Sequence, residues 1–347
     1  AELRVTRLKA EAKSKNWLPS IGPTVDLTSL GTVAASILIE QVLFDNGKRK
    51  AERAFAAADV EIAAVTLSQN MNNRVHDALT EYVTAQRAQE RAALAEASVG
   101  RMAEYERIMA GRVEGGLSDR SEQRVITQKA TEMQAAAAAD RQEAALAMAE
   151  LGALAGRPMD HLSGLQSLPA DPGGPEPLSV LKSQAEGARM VAEAKIARAG
   201  HLPGLKATGT VTDGKRTGGG RRGAAQLRGR GPGAQREAPA ATDDVVERTG
   251  AEDTRDSARR IVALEGKLAA LAAQQANGAT VVAETRASLD LFTEQYKVGR
   301  RTLIELVGMF ETFARLEREQ AALKYDMALI RLEMARERGV LVSGDRL

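Results

Sequence analysis

Residues 296–303 read Tyr-Lys-Val-Gly-Arg-Arg-Thr-Leu, a short run between two long proline-free segments. Gly299 interrupts a helical pattern, and Thr302 with Glu305 restarts it. Thr-x-x-Glu ahead of an apolar run is a capping box: the threonine hydroxyl accepts from a free N–H of the first turn, and the glutamate reaches back to the cap N–H. Two helices therefore meet at a tight turn. A matching break and restart lies 184 residues earlier, at Gly115-Gly116-Leu117-Ser118-Asp119, with Asp119-x-x-Glu122 as a second candidate box. Two helical hairpins with equivalent tips predict a duplicated chain.

A second landmark has the same offset. Trp17-Leu18-Pro19-Ser20 lies opposite His201-Leu202-Pro203-Gly204, again 184 residues apart, and each follows an Ala/Lys-rich helical stretch. Repeats of this kind outrank local propensity in deciding a fold.

Composition bounds what the repeats can build. Only 3% of the 347 residues are aromatic while alanine is abundant, which suits slim, closely packed helices better than a large globular core. A net charge of +2 gives no overall preference for polyanions. With no cysteine in the chain, disulfides and thiolate-held metals are excluded. His76, His161 and His201 are far apart in sequence and read as surface or packing residues. No run of 18 apolar residues exists to form a membrane-spanning helix. The first residues, Ala1-Glu2-Leu3-Arg4, already read as helix, so a true N-terminus and a signal segment are expected upstream.

The first repeat is read over residues 1–157. Its helix end, 1–15, gives way to two-residue alternation: Trp17, Pro19, Ile21, Pro23, Val25 and Leu27 against Ser20, Gly22, Thr24, Asp26 and Thr28. That is a strand with one apolar and one polar face. A second strand is expected over 34–44, so that 17–44 forms a β-hairpin. From Lys48 to Arg157 proline is absent, which predicts a helical hairpin over 48–155 turning at 113–118. Residues 48–110 alone would extend about 95 Å as helix at roughly 1.5 Å per residue. The all-alanine run Ala135–Ala139 would allow close helix packing.

Residues 158–177 hold five of the ten prolines and read as the linker between repeats. The second repeat, 178–341, opens with a helix and a strand at 201–213. Residues 215–241 break the correspondence: seven basic residues and one acid among scattered glycine and proline predict an irregular segment. Repeat spacing reads as the same on both sides of it. As a nucleic-acid arm it lacks interleaved aromatics, so nucleic acid is not expected as a partner. A helical hairpin follows over 243–338. Past the tip, Leu303, Leu306, Val307, Phe310, Phe313 and Leu316, then Leu323, Met327, Ile330 and Met334, form a coiled-coil seam.

The fold class read from these features is mainly α with a small β part, built as a duplicated strand–strand–long helical hairpin. A strand with one apolar face must hide it against a partner or lipid. Only helices and closed barrels span bilayers, and four strands cannot close a barrel with a lumen, so several chains would have to contribute. A soluble coiled-coil scaffold with β appendages is the alternative.

Several motifs resemble the TolC-like outer-membrane factors, the exit ducts of drug-efflux and type I secretion systems. They are Leu18 to Ser20 after an Ala/Lys helix, VLFDNGKRKAE from Val42 to Glu52, and the tip RVEGGLSD from Arg112 to Asp119. The most specific is FTEQYKVGRRTLIELV from Phe292 to Val307, followed by YDMALIRLEMARERGVL from Tyr325 to Leu341. The resemblance covers nearly the whole chain outside 215–241. It implies a homotrimer whose strands share one outer-membrane β-barrel and whose helices form a periplasmic α-helical tunnel in a Gram-negative bacterium. It implies no enzyme and no cofactor. The implied partners are a periplasmic adaptor, an inner-membrane ABC or proton-driven pump, and outer-membrane lipid. Cargo is expected to be protein, by type I secretion, with multidrug or solute efflux as the alternative. By the same resemblance the adaptor docks on Gly115, Gly116, Leu117 and Ser118, and on Val298, Gly299, Arg300, Arg301, Thr302 and Leu303. Glu305 falls where the family places acids that narrow the closed tunnel, and it reads equally as a capping acid. No metal ligands stand out.

Overall fold

A computed structural model describes residues 1–27, 33–159, 162–165, 176–212, 221–222 and 234–342. In chain order the elements are α1 (Glu2–Ser14), β1 (Ser20–Leu27), β2 (Val33–Phe44), α2 (Lys48–Glu114), α3 (Arg120–Ala155), α4 (Leu178–Gly200), β3 (Leu205–Thr212), β4 (Arg221–Arg222), α5 (Ala234–Lys297) and α6 (Leu303–Arg338). The fold is mainly α with a small antiparallel sheet, laid down as a duplicated hairpin repeat. No helix among the described residues is long and apolar enough to cross a membrane.

Helix ends set the repeat's true spacing. Helices α3 and α6 are each 36 residues long, and they end at Gly156 (φ 68°) and Gly339 (φ 69°), which are 183 positions apart. Helices α2 and α5 end ahead of Gly116 (φ 70°) and Gly299 (φ 75°), again 183 apart. The expected pairing of Gly115 with Gly299 is therefore corrected to Gly116 with Gly299. A left-handed residue is what stops a helix in this way, and here the second glycine of the pair adopts that conformation. Pro19 and Pro203 remain 184 apart, so the second repeat is one residue shorter between its strand and its tip. The equal spacing expected across 215–241 does not hold.

Most of 215–241 lies outside the described residues. Within it, Arg221 and Arg222 pair with Thr208 and Ala207, and α5 begins at Ala234 rather than at 243. Ala234, Gln235, Arg236, Glu237 and Ala238 are strong helix formers, which the basic, Gly-rich character of the preceding residues obscured. Of the interrepeat linker 158–177, the structure describes 158–159, 162–165 and 176–177.

The chain divides into two compact units, and each takes its parts from both repeats. The first comprises residues 1–70 and 176–258. Its sheet has the order β1-β2-β3-β4, all antiparallel. Ile21 opposes Ile39, Pro23 opposes Ile37, and Ile39 opposes Gly209. On the other face Ser20 opposes Glu40, and Glu40 opposes Thr208. Directly opposed residues share a face, so one side is mainly apolar, with Gln41 as an exception, and the other mainly polar, with Leu38 and Val42 among its residues. Lys206 Nζ reaches Glu40 Oε1 at 2.7 Å. The corners are pinned: Asn46 Nδ2 donates to the Pro203 carbonyl at 2.8 Å, and a side chain at Gly204 would meet the Phe44 carbonyl at 3.1 Å. At Gly187 a side chain would collide with Val246, so glycine lets α4 and α5 approach closely.

The second unit comprises residues 71–175 and 259–347. Its main core gathers Met102, Tyr105 and Met109 of α2, Ile126 and Ala130 of α3, Leu289 of α5, and Leu303, Leu306, Val307, Phe310 and Phe313 of α6. Tyr105 and Phe310 meet edge to face, with ring centroids 5.6 Å apart. Farther along, Asp140 is only 3% exposed and accepts from Arg91 Nη2 at 3.0 Å and from Arg318 Nη2. Arg87 adds Glu143 at 2.9 Å and Asp326 at 3.0 Å, so charges from α2, α3 and α6 interlock. The expected Ala135–Ala139 packing stripe is carried by Ala137 alone. Ala136 is half-buried, and the other three are exposed.

Candidate functional site

Both hairpin tips belong to the second unit, where one apolar core seats them. At the first tip, Leu117 N–H donates to the Arg112 carbonyl at 2.8 Å and Gly116 N–H to the Val113 carbonyl at 3.1 Å. At the second, Arg300 N–H donates to the Gln295 carbonyl at 2.9 Å and Gly299 N–H to the Tyr296 carbonyl at 3.0 Å. This pair of bonds around a left-handed residue is the Schellman motif, which satisfies the last free carbonyls of a helix. The two tips are thus the same backbone device used twice.

The restarts differ in chemistry. Asp119 caps α3 by accepting from the N–H groups of Ser121 at 2.7 Å and Glu122 at 3.0 Å. Hydrogen bonds from the Ser121 hydroxyl and from the two N–H groups hold its carboxyl below the usual aspartate range. At α6 the capping box is complete: Glu305 N–H donates to Thr302 Oγ1 at 3.3 Å, and Thr302 N–H donates to Glu305 Oε2 at 2.9 Å. Arg301 Nη1 adds a bond to Glu305 Oε1 at 2.8 Å. The Thr302 N–H, then Arg301, lowers the Glu305 pKa below its ordinary value. Glu305 is thereby engaged as a capping acid.

The ten tip residues do not all face outward. Leu117 and Val298 are 71% and 70% exposed, two aliphatic side chains held in water by rigid turns. Gly115, Gly116, Gly299, Arg300 and Thr302 are exposed as well. Ser118 is half-buried and accepts from Arg112 Nε at 3.1 Å. Leu303 is 2% exposed inside the core, so it anchors the tip and presents no docking surface. The apolar seam that begins at Leu303 already implied this inward position, in competition with the docking role that the resemblance gave the residue.

Arg301 and Arg300 have divided roles. Arg301 donates through Nε to Gln295 Oε1 at 3.1 Å, and its guanidinium lies 4.4 Å from the Phe292 ring centroid. Phe292 and Gln295 hold Arg301 across the turn, and sequence reading missed them as tip residues. Their one signal was spacing: both sit within two helical turns ahead of Gly299. Arg300 extends into solvent. Met102, Tyr105 and Met109, at steps of three and four, were equally readable as the tip's seat. Among the described residues no cluster of three His, Cys, Asp or Glu is placed to hold a metal.

No family description and no curated protein matches the chain. Solved structures do. The chain is similar to the outer membrane protein VceC of Vibrio cholerae, with a TM-score of 0.78 at 13% identity, covering 98% of this chain and 90% of that one. The Campylobacter jejuni CmeC outer membrane channel gives 0.77 at 12% identity, covering 98% and 81%. The open state of the Neisseria gonorrhoeae MtrE outer membrane channel gives 0.74 at 15% identity, covering 97% and 84%. Placement along the whole length at this similarity fixes the architecture: the chain has the TolC-like fold of the outer-membrane channels.

Proposed function

We propose that the chain is the outer-membrane duct of a tripartite export system, a passive exit conduit rather than an enzyme. An inner-membrane pump would drive transport, and a periplasmic adaptor would join it at the exposed tips. The observation that carries this reading is the two-faced sheet on a channel fold. A sheet with Ile21, Ile37 and Ile39 on one face and Ser20, Glu40 and Thr208 on the other suits a barrel wall between lipid and water. Four strands are too few for a barrel with a lumen, so a homotrimer supplies the rest. A second feature supports association. Among the described side chains of α5, from residue 240 on, only Ser257 and Leu289 are buried, while Val262, Val281 and Leu291 are exposed. So long a helix with so little cover calls for neighbours.

Outer membrane and periplasm follow as the location. Protein cargo, by type I secretion, is the first reading, on the general likeness of the second repeat to secretion ducts. Solute efflux is the second, because the same duct serves any cargo its pump delivers. The test is absolute mass by light scattering on the exported chain, with and without detergent. A trimer that stays soluble only in detergent is expected. A detergent-independent monomer or dimer would replace the duct with a coiled-coil scaffold.

A further inference from the structure

We propose that the corner where the sheet meets the helices binds an anionic phospholipid headgroup; the inference rests on the outer-membrane reading. All the residues involved belong to the first unit. A cavity of about 540 Å³ opens between the start of α2 and the end of α4, with Asn46, Lys50 and Ala51 on one side and Lys195, Arg198 and Leu202 on the other. Its lining holds these three cations and no carboxylate. Some basic side chains of this unit have acids: Lys13 with Glu52 at 3.4 Å, Arg189 with Asp59 at 3.5 Å, Lys206 with Glu40 at 2.7 Å. Among the described residues no carboxylate pairs with Lys50, Lys195 or Arg198.

The positive character comes from these side chains and not from the helix end. Asp45 already takes the first donors of α2: Gly47 N–H donates to Oδ1 at 3.1 Å and Arg49 N–H to Oδ2 at 2.9 Å. Like charges lining one cavity raise each other's energy and favour an anion there.

An apolar collar next to the cavity selects lipid over a free anion. The ladder between β2 and β3 slips between Val42 and Phe44, and the bulge leaves Leu43 and Phe44 exposed side by side. Trp17 and Leu205 are exposed at the same end of the sheet. Aromatic and aliphatic residues beside a basic patch match the boundary between acyl chains and headgroups.

The experiment places the purified full chain in nanodiscs of phosphatidylcholine alone or of equal phosphatidylcholine and phosphatidylglycerol, and reads the retained lipid by native mass spectrometry. Phosphatidylglycerol should be retained in preference. The preference should fall about fivefold with each of Lys50→Gln, Lys195→Gln and Arg198→Gln, and on the order of a hundredfold for the triple variant. Lys50→Arg with Lys195→Arg should restore it, and light scattering should show the variants in the wild-type oligomeric state. Equal retention of the two lipids, an unchanged triple variant, or displacement of phosphatidylglycerol by inorganic phosphate would each overturn the site. If the chain enters phosphatidylcholine discs without a lipid preference, the duct reading stands and this inference fails. If it enters neither disc, both fail.

Discussion

Residue-level effects at the tips depend on backbone conformation more than on contacts. An added Cβ at Gly116 or Gly299 would meet nothing within 4 Å, yet both have positive φ. The cost of a side chain there is conformational, about 1–2 kcal/mol. At Gly115, where φ is not positive, a Cβ would meet the Gly111 carbonyl at 3.4 Å, an ordinary contact. Chemical denaturation should therefore show Gly116→Ala losing about 1 kcal/mol and Gly115→Ala well under that. Equal losses would return the tip equivalence to Gly115. Gly299→Val should in addition reduce export in a complemented cell while leaving the trimer assembled, because it reshapes the exposed turn between Val298 and Arg300. Glu305 gives a pH test. Its folded-state pKa lies below the ordinary 4.5, so its charge stabilises above that value, and the contribution is lost as pH falls through the folded pKa. Glu305→Gln keeps the cap but not the charge. Wild type should melt higher than the variant at neutral pH, and the two curves should converge below the folded value. A gap that persists there would assign the effect to something other than ionisation.

Among the elements, α2, α3 and α6 are locked by charge as well as by apolar contact. Asp140 has almost no water and two arginine partners from different helices. Removing the acid leaves Arg91 and Arg318 facing each other without their shared anion, so Asp140→Ala should cost about 3 kcal/mol in unfolding free energy. A loss under about 1 kcal/mol would mean that Arg91 finds Glu143, now 3.9 Å away, as a substitute. The apolar end of the same unit works differently. There Phe310 is enclosed by Tyr105 and by Arg101, whose guanidinium lies 5.9 Å from the ring centroid, so both tips share one seat.

At the scale of the whole molecule, the exposure of α5 contrasts with α6, where thirteen of 36 residues are buried. In the proposed trimer that uncovered surface becomes subunit interface. Placing a charge on it, as in Val281→Asp or Leu291→Asp, should shift the detergent-solubilised trimer toward monomer by light scattering while far-UV helicity persists. An unchanged trimer would place the interface on other helices.

Local chemistry made much of this protein readable from its sequence. Gly299 with Thr302 and Glu305 announced a helix end and a helix start, because caps and left-handed turns depend only on residues within one turn of each other. Two-residue alternation from Trp17 announced a two-faced strand for the same reason, and the repeat supplied the architecture. Tertiary structure decided the rest. It made Asp140 a buried anion, left α5 uncovered, and built compact units that each draw on both repeats. Which of two adjacent glycines turns left-handed, and where the ladder slips beside Phe44, were settled in the same way. Each of these depends on partners more than a hundred positions away or on how a helix end is finally seated. No window of local sequence contains that information.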